Sequence, residues 1–143
     1  MELRLLKAHD VDGWKAYHAI RRHVLFELRG QENYDPTHPD EHREGHFPLL
    51  FSLDGTPVGT VRLDMADAQA GVGIVRLVAV LPQYQRRGVG SAMMQRLQSF
   101  AATKGVERLD VNAARNAVPF YEKLGWHLID PSPDSPLMTK PIG

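Results

Sequence analysis

Arg86-Arg87-Gly88-Val89-Gly90-Ser91 gathers residue types that hold anions: two guanidiniums, two glycines that let the backbone come close, and a hydroxyl. The apolar run Val75–Leu81 before it reads as a strand, and an amphipathic helix follows. The turn therefore sits at a helix N-terminus, where unpaired N–H groups and aligned peptide dipoles favour negative charge. Phosphate binding is the chemistry expected there. A second chemistry-bearing set is His38, His42 and His46, whose i, i+4, i+8 spacing would stack metal ligands on one helix face. Gly45 and the prolines at 36, 39 and 48 break the helix that such a face needs. These three are expected to be polar loop histidines, with no metal.

The elements that must position the turn follow from periodicity. Leu3 to Leu6 suits an edge strand. Asp10 or Asp12 can cap a helix of roughly fifteen residues, with Val11, Trp14, Tyr17, Ile20, Val24 and Leu28 as its apolar stripe and Arg21, Arg22 and Glu27 on a solvated face. Gly30 to Pro48 reads as an acidic, proline-rich loop. Phe47–Leu53 and Val58–Asp64 flank Asp54-Gly55, a hairpin signal. A loop from Met65 to Gly71 leads to a strand over Val72–Val80, whose continuous apolar character predicts burial on both faces.

After the basic turn, Val89, Ala92, Met93, Leu97, Phe100 and Ala101 recur at helical spacing, and Gly105 suits the position just past the helix end. Leu109-Asp110-Val111 is a short strand, so strand–helix–strand predicts a parallel, right-handed crossover. A short helix capped by Asn116 and closed by Gly125 comes next, then strands from Trp126 to Ile129 and from Leu137 to Thr139. With no linker, repeat or low-complexity tract, residues 1–143 read as one domain.

Composition narrows the partners. Seventeen basic residues balance seventeen acidic ones, and the absence of any aromatic–basic stripe speaks against nucleic acid. There is no cysteine, which removes disulfides, thiolate metal sites and a cysteine nucleophile. No apolar run approaches membrane-spanning length, and the opening residues lack a signal-peptide core, so a cytoplasmic protein is expected.

Two common phosphate cradles fail. No Gly-x4-Gly-Lys-Ser/Thr run exists, and Gly88-Val89-Gly90 lacks the third glycine of the dinucleotide fingerprint. Val80-Leu81-Pro82-x-Tyr84-Gln85-Arg86-Arg87-Gly88-Val89-Gly90 instead resembles the acetyl-CoA-binding motif of the GNAT superfamily of N-acetyltransferases. Phe120-Tyr121-Glu-Lys-Leu-Gly125-Trp126 resembles that superfamily's second signature, at the expected distance. The likeness covers about residues 20 to 140. Arg22-x-Val24-Leu-Phe26-Glu27, Pro57–Leu63 and Val111-Asn112-Ala113 are similar to a subgroup of small bacterial acetyltransferases of unassigned substrate.

The resemblance implies a mixed α/β (α+β) fold, with a central sheet of six to seven strands flanked by about four helices and splayed at the acetyl-CoA site. It implies acetyl-CoA as co-substrate. The backbone of Val78, Ala79 and Val80 would pair with the pantetheine arm, and Arg86, Arg87, Gly88, Val89, Gly90 and Ser91 would hold the pyrophosphate. Asn112 would be a further cofactor contact. Tyr121 would be the general acid to the leaving thiolate. Asp110 is the first candidate for general base, with Asp64, Glu27, His46 or a water chain behind it, because Arg76 stands where relatives often keep an acid.

The acceptor is expected to be a small-molecule or peptide amine. The acidic stretch from Glu32 to Glu44 favours a cationic one if it borders the site. A homodimer is compatible with the family. A non-catalytic acyl-CoA-binding module is the alternative from another class.

Overall fold

In the computed structural model, which describes residues 1–66 and 69–143, seven strands form one sheet in the order β1-β2-β3-β4-β5-β7-β6. The strands are β1 (Glu2–Leu5), β2 (His46–Leu53), β3 (Thr56–Met65), β4 (Val72–Val80), β5 (Arg108–Asn112), β6 (His127–Asp130) and β7 (Leu137–Pro141). Three α-helices accompany them: α1 (Val11–Arg21), α2 (Val89–Thr103) and α3 (Val118–Lys123). Neighbouring strands run antiparallel except β4 and β5, which are parallel and joined through α2. The expected parallel strand–helix–strand connection is thus present. The expected loop from Met65 to Gly71 has its centre outside the described residues.

Strand alternation divides the core. Leu49, Phe51, Val61, Leu63 and Val75 pack with Met93, Leu97 and Tyr121 on the α2 face. Leu50 and Ala79 face the other way, onto Tyr17 and Ile20 of α1. Local signals in the sequence set most boundaries. Asp10 caps α1 by accepting the Gly13 N–H at 2.9 Å. Asp54 (φ 49°) and Gly55 (φ 82°) make the left-handed pair of the β2–β3 hairpin. Gly105 (φ 79°) ends α2, and the Val106 N–H returns to the Ala101 carbonyl.

Three expectations are corrected. The first helix stops at Arg21; the chain continues as a wider π-type turn over Arg22–Phe26 and a tight turn over Glu27–Arg29, leaving Val11 74% and Leu28 56% exposed. Arg21 lies on no solvated face. It is buried and paired with Glu41, which also accepts from the Tyr17 hydroxyl at 3.1 Å. Asn116 does not cap the short helix, whose first turn lacks a side-chain cap.

Beneath α1 the alternate residues of β3 are polar yet buried. Arg62 grips Asp64 with two bonds, at 2.8 and 3.0 Å, and reaches Glu41 at 3.7 Å. His46 Nε2 lies 3.5 Å from Asp64, while its Nδ1 donates to the Asp40 carbonyl. Glu41 belongs to the 30–48 stretch, so this ionic cluster ties that stretch to the sheet. Rings tie it to α1: His42 packs on Trp14 at 5.1 Å, and Tyr34 meets His18 and Phe26 edge-on. The three loop histidines thus have three separate attachments, since His38 instead accepts the Asp40 N–H.

Candidate functional site

The site begins with a break in the sheet. β4 and β5 pair in parallel from Val72 opposite Arg108 to Val75 opposite Val111, and the pairing ends there. β4 runs on to Val80 against β3 alone, with a bulge in which Leu77 (φ 55°) and Val78 together face Val61. The strand edge from Arg76 onward is therefore unpaired on its β5 side, apart from the Val80 carbonyl, which accepts from Gln85 Nε2 at 2.9 Å. Unpaired N–H and C=O groups along an edge can bind an extended, amide-bearing ligand as an added strand. Burial on both faces, expected for all of β4, holds only for its first half. Arg76 and Leu77 are exposed and Val78 half-buried, because this half borders a cleft of about 940 Å³.

The basic turn closes one end of the cleft. Arg86 (φ 63°) and Gly88 (φ 78°) are both left-handed, which turns successive amides toward one side. The first helical bond of α2 runs from the Ala92 N–H to the Gly88 carbonyl. The amides of Val89, Gly90 and Ser91 thus precede the hydrogen-bonded ladder, and no side chain caps them. A Cβ on Gly88 would meet nothing within 4 Å, so its side is open, whereas one on Gly90 would come 3.4 Å from the Phe120 ring. An anion at this turn would meet free donors, the helix dipole and the Arg86 side chain.

The opposite wall comes from β5 and α3. Tyr121 lines the cleft yet is only 4% exposed, with Phe120 and Trp126 each 5.2 Å away edge-on. Burial pushes its phenol up to about 12, and among the described residues its hydroxyl has no hydrogen-bond partner. The group is a protonated donor in the wall of the cleft. Asn112 also borders the cleft, donating to the Ser135 carbonyl at 3.1 Å and so fixing the 131–136 loop at its mouth.

Of the residues singled out in the sequence, Val78, Ala79, Val80, Arg86, Gly88, Gly90, Ser91, Asn112 and Tyr121 line one cleft. Ala79 contributes backbone, its side chain being buried on the α1 face. Arg87 and Asp110 are outside the lining, and the Val89 side chain is in the core. Asp110 is already engaged: Arg108 holds both its oxygens, at 3.1 and 3.2 Å, and the Thr139 hydroxyl donates at 2.6 Å. Residues 30–48 contribute nothing to the lining either. The acidic stretch therefore does not border the site, and its preference for a cationic acceptor loses its footing.

Val24, Leu25 and Arg29 do line the cleft; Val24 and Leu25 lie in a stretch that the resemblance marked without giving it a place in the site, and Arg29 carried no sequence signal. They reach it because the helix widens at Arg22 and turns over β4.

The chain belongs to the acetyltransferase (GNAT) family, whose model matches residues 14–126. It is similar to the uncharacterized N-acetyltransferase YjcF of Bacillus subtilis, 37% identical over 87 residues, and the match spans 60% of either chain. Its fold matches GCN5 of Tetrahymena with a TM-score of 0.78 at 15% identity, covering 100% of this chain and 97% of the other. PaiA N-acetyltransferase of Thermoplasma acidophilum, solved in complex with coenzyme A, gives 0.78 at 15% identity over 98% of each chain. No helix of the described residues is long and apolar enough to cross a membrane.

Proposed function

We infer that the chain is an N-acetyltransferase, moving the acetyl group of acetyl-CoA to a primary amine. The observation that carries this is the unpaired β4 edge running into a turn of free amides. A strand-like arm with two amide groups, ending in a pyrophosphate, has that shape and polarity. Val78 to Val80 would hold the arm through backbone groups, and Arg86 to Ser91 would hold the pyrophosphate.

Acetyl-CoA supplies a thioester carbonyl. The amine nitrogen bonds to that carbon, the C–S bond breaks, and the products are an N-substituted acetamide and a thiol. A free β4 amide between Val78 and Val80 stabilises the oxyanion that develops. Tyr121 donates its proton to the departing sulfur. With its phenol pushed up to about 12, it keeps that proton across the working pH range. The amine's own proton goes to water, because the described lining has no carboxylate and no imidazole. Asp64 and His46 are engaged with each other under α1, and Glu27 sits 3.2 Å from His23.

Tyr121→Phe tests the assignment. Acetyl-CoA affinity, measured by calorimetry, should be unchanged, while kcat falls by about 10²–10⁴. Unchanged turnover would remove Tyr121 from the mechanism. Failure to release CoA thiol with any amine would favour a binding module that senses acyl-CoA.

A further inference from the structure

We propose that the acceptor amine carries an oxyanionic group, a carboxylate or a phosphate, which Arg76 and Arg29 hold on the α1 side of the cleft. The proposal rests on the acetyltransferase reading and adds the substrate class. Every charged residue of the described lining is a cation: Arg29, Arg76, Arg86 and Lys123. Arg86 belongs to the phosphate turn and Lys123 to the α3 wall. Arg76 and Arg29 are left without a role in holding acetyl-CoA.

Both border the cleft where α1 gives way to the turn over β4: Arg76 is on β4, and Arg29 follows the Arg22–Phe26 turn. Arg76 lies directly across from Arg62 in the β3–β4 register, on the face that carries α1. Its contact with Asp64 is long, 3.6 Å, because Arg62 already takes both Asp64 oxygens. Arg76 is 48% exposed and retains donors for a ligand. The cluster beneath it holds three guanidiniums, of Arg21, Arg62 and Arg76, against two carboxylates, Glu41 and Asp64. Positive charge is therefore in excess even before Arg29 is counted, and Arg29 is exposed with no ion-pair partner among the described residues.

A guanidinium with open donors matches carboxylate or phosphate oxygens in geometry and charge. A polycationic acceptor would meet repulsion at the same place. This field also favours the neutral form of an amine placed beside it, which suits a cleft without a side-chain base.

Matched amines read the proposal directly, with CoA thiol release followed at saturating acetyl-CoA. Phenylalanine is compared with phenethylamine, O-phosphoethanolamine with ethanolamine, and spermidine serves as the polycation. The anionic member of at least one pair should exceed its partner by about tenfold or more in kcat/KM, and which pair does so separates carboxylate from phosphate. Arg76→Gln and Arg29→Gln should each erode that preference through KM, with acetyl-CoA affinity unchanged. Arg29→Gln guards against disturbance of Asp64, since Arg29 pairs with no carboxylate among the described residues. Preference for the neutral partners or for spermidine overturns the proposal and leaves the acetyltransferase reading standing. So does a preference that survives in both variants. If no amine of any kind is acetylated, the acetyltransferase reading falls and takes this one with it.

Discussion

The turn from Pro82 to Ser91 and the short segment at residues 39–45 both lead irregular chain into a regular element, yet they treat polar groups in opposite ways. In the first, amides ahead of the α2 ladder have no partner and no side-chain cap, and Arg86 opens onto the cleft. In the second, Glu41 and its neighbours are paired within the protein: Glu41 with Arg21, Arg62 and Tyr17, and His46 with Asp64 and Asp40. Open donors at an exposed turn cost little, since water satisfies them until a ligand arrives. Closed pairs under α1 must be complete, because a lone buried charge is strongly destabilising. The first region should govern binding without much stability, and the second stability without chemistry.

The largest effect that tests this contrast is Glu41→Ala. It strands Arg21 in a buried site and removes the second carboxylate of Arg62, and denaturant unfolding should show a loss of about 3–5 kcal/mol. The folded fraction should bind acetyl-CoA with unchanged affinity. Normal stability with altered acetyl-CoA binding would reverse the roles of the two regions.

Gly90→Val should do the converse. A branched side chain placed 3.4 Å from Phe120 crowds the cleft where the pyrophosphate is proposed to sit. Calorimetry should show affinity for acetyl-CoA lost by about 100-fold or more, near 3 kcal/mol, with the helical circular-dichroism signal retained. Binding at wild-type strength would mean that the turn is not the anchor.

A smaller effect concerns pH. Burial, then Arg21 and Arg22, lower the His18 imidazole to about 4 from 6.5, so folding favours its neutral form. The unfolded chain binds the extra proton between those values. The stability from this ring is complete above about pH 6.5 and is lost as pH falls toward 4. About 1 kcal/mol is expected, since the ring is only half-buried and still meets water. His18→Phe should flatten the slope in urea midpoints measured over that window. An unchanged slope would detach His18 from the acid sensitivity of this region.

The smallest effect is expected at Asp110. Held by Arg108 and Thr139 away from the cleft, it should tolerate Asn with kcat within about twofold. A hundredfold fall would restore it as the base and require rearrangement of β5.

Most of the cleft was legible because its signals are local. A glycine needed for positive φ, basic residues before a helix and a strand–helix–strand crossover all lie within a few dozen residues. The two signature stretches lie forty residues apart and meet across the β4–β5 gap, as their order implies. Asp110 lies outside the lining because a short strand has two faces, and β7 decides which is free: Thr139 arrives from 29 residues away to occupy its carboxylate. Arg21 and Glu41 misled for a related reason. A charged residue on a helix face looks solvated until a loop with the opposite charge folds over it.

By itself, the sequence determined the stop of α2, the hairpin turn, the glycine turn ahead of α2 and the family, because each depends on residues near one another in the chain. Tertiary structure decided which charges face the cleft. Pairing of Glu41 with Arg21 and Arg62, and of Asp64 with His46, joins residues far apart in the chain; it hid the acids and left Arg76 and Arg29 outward. Charge balance in a folded interior depends on which distant partner arrives, and no spacing along the chain records that.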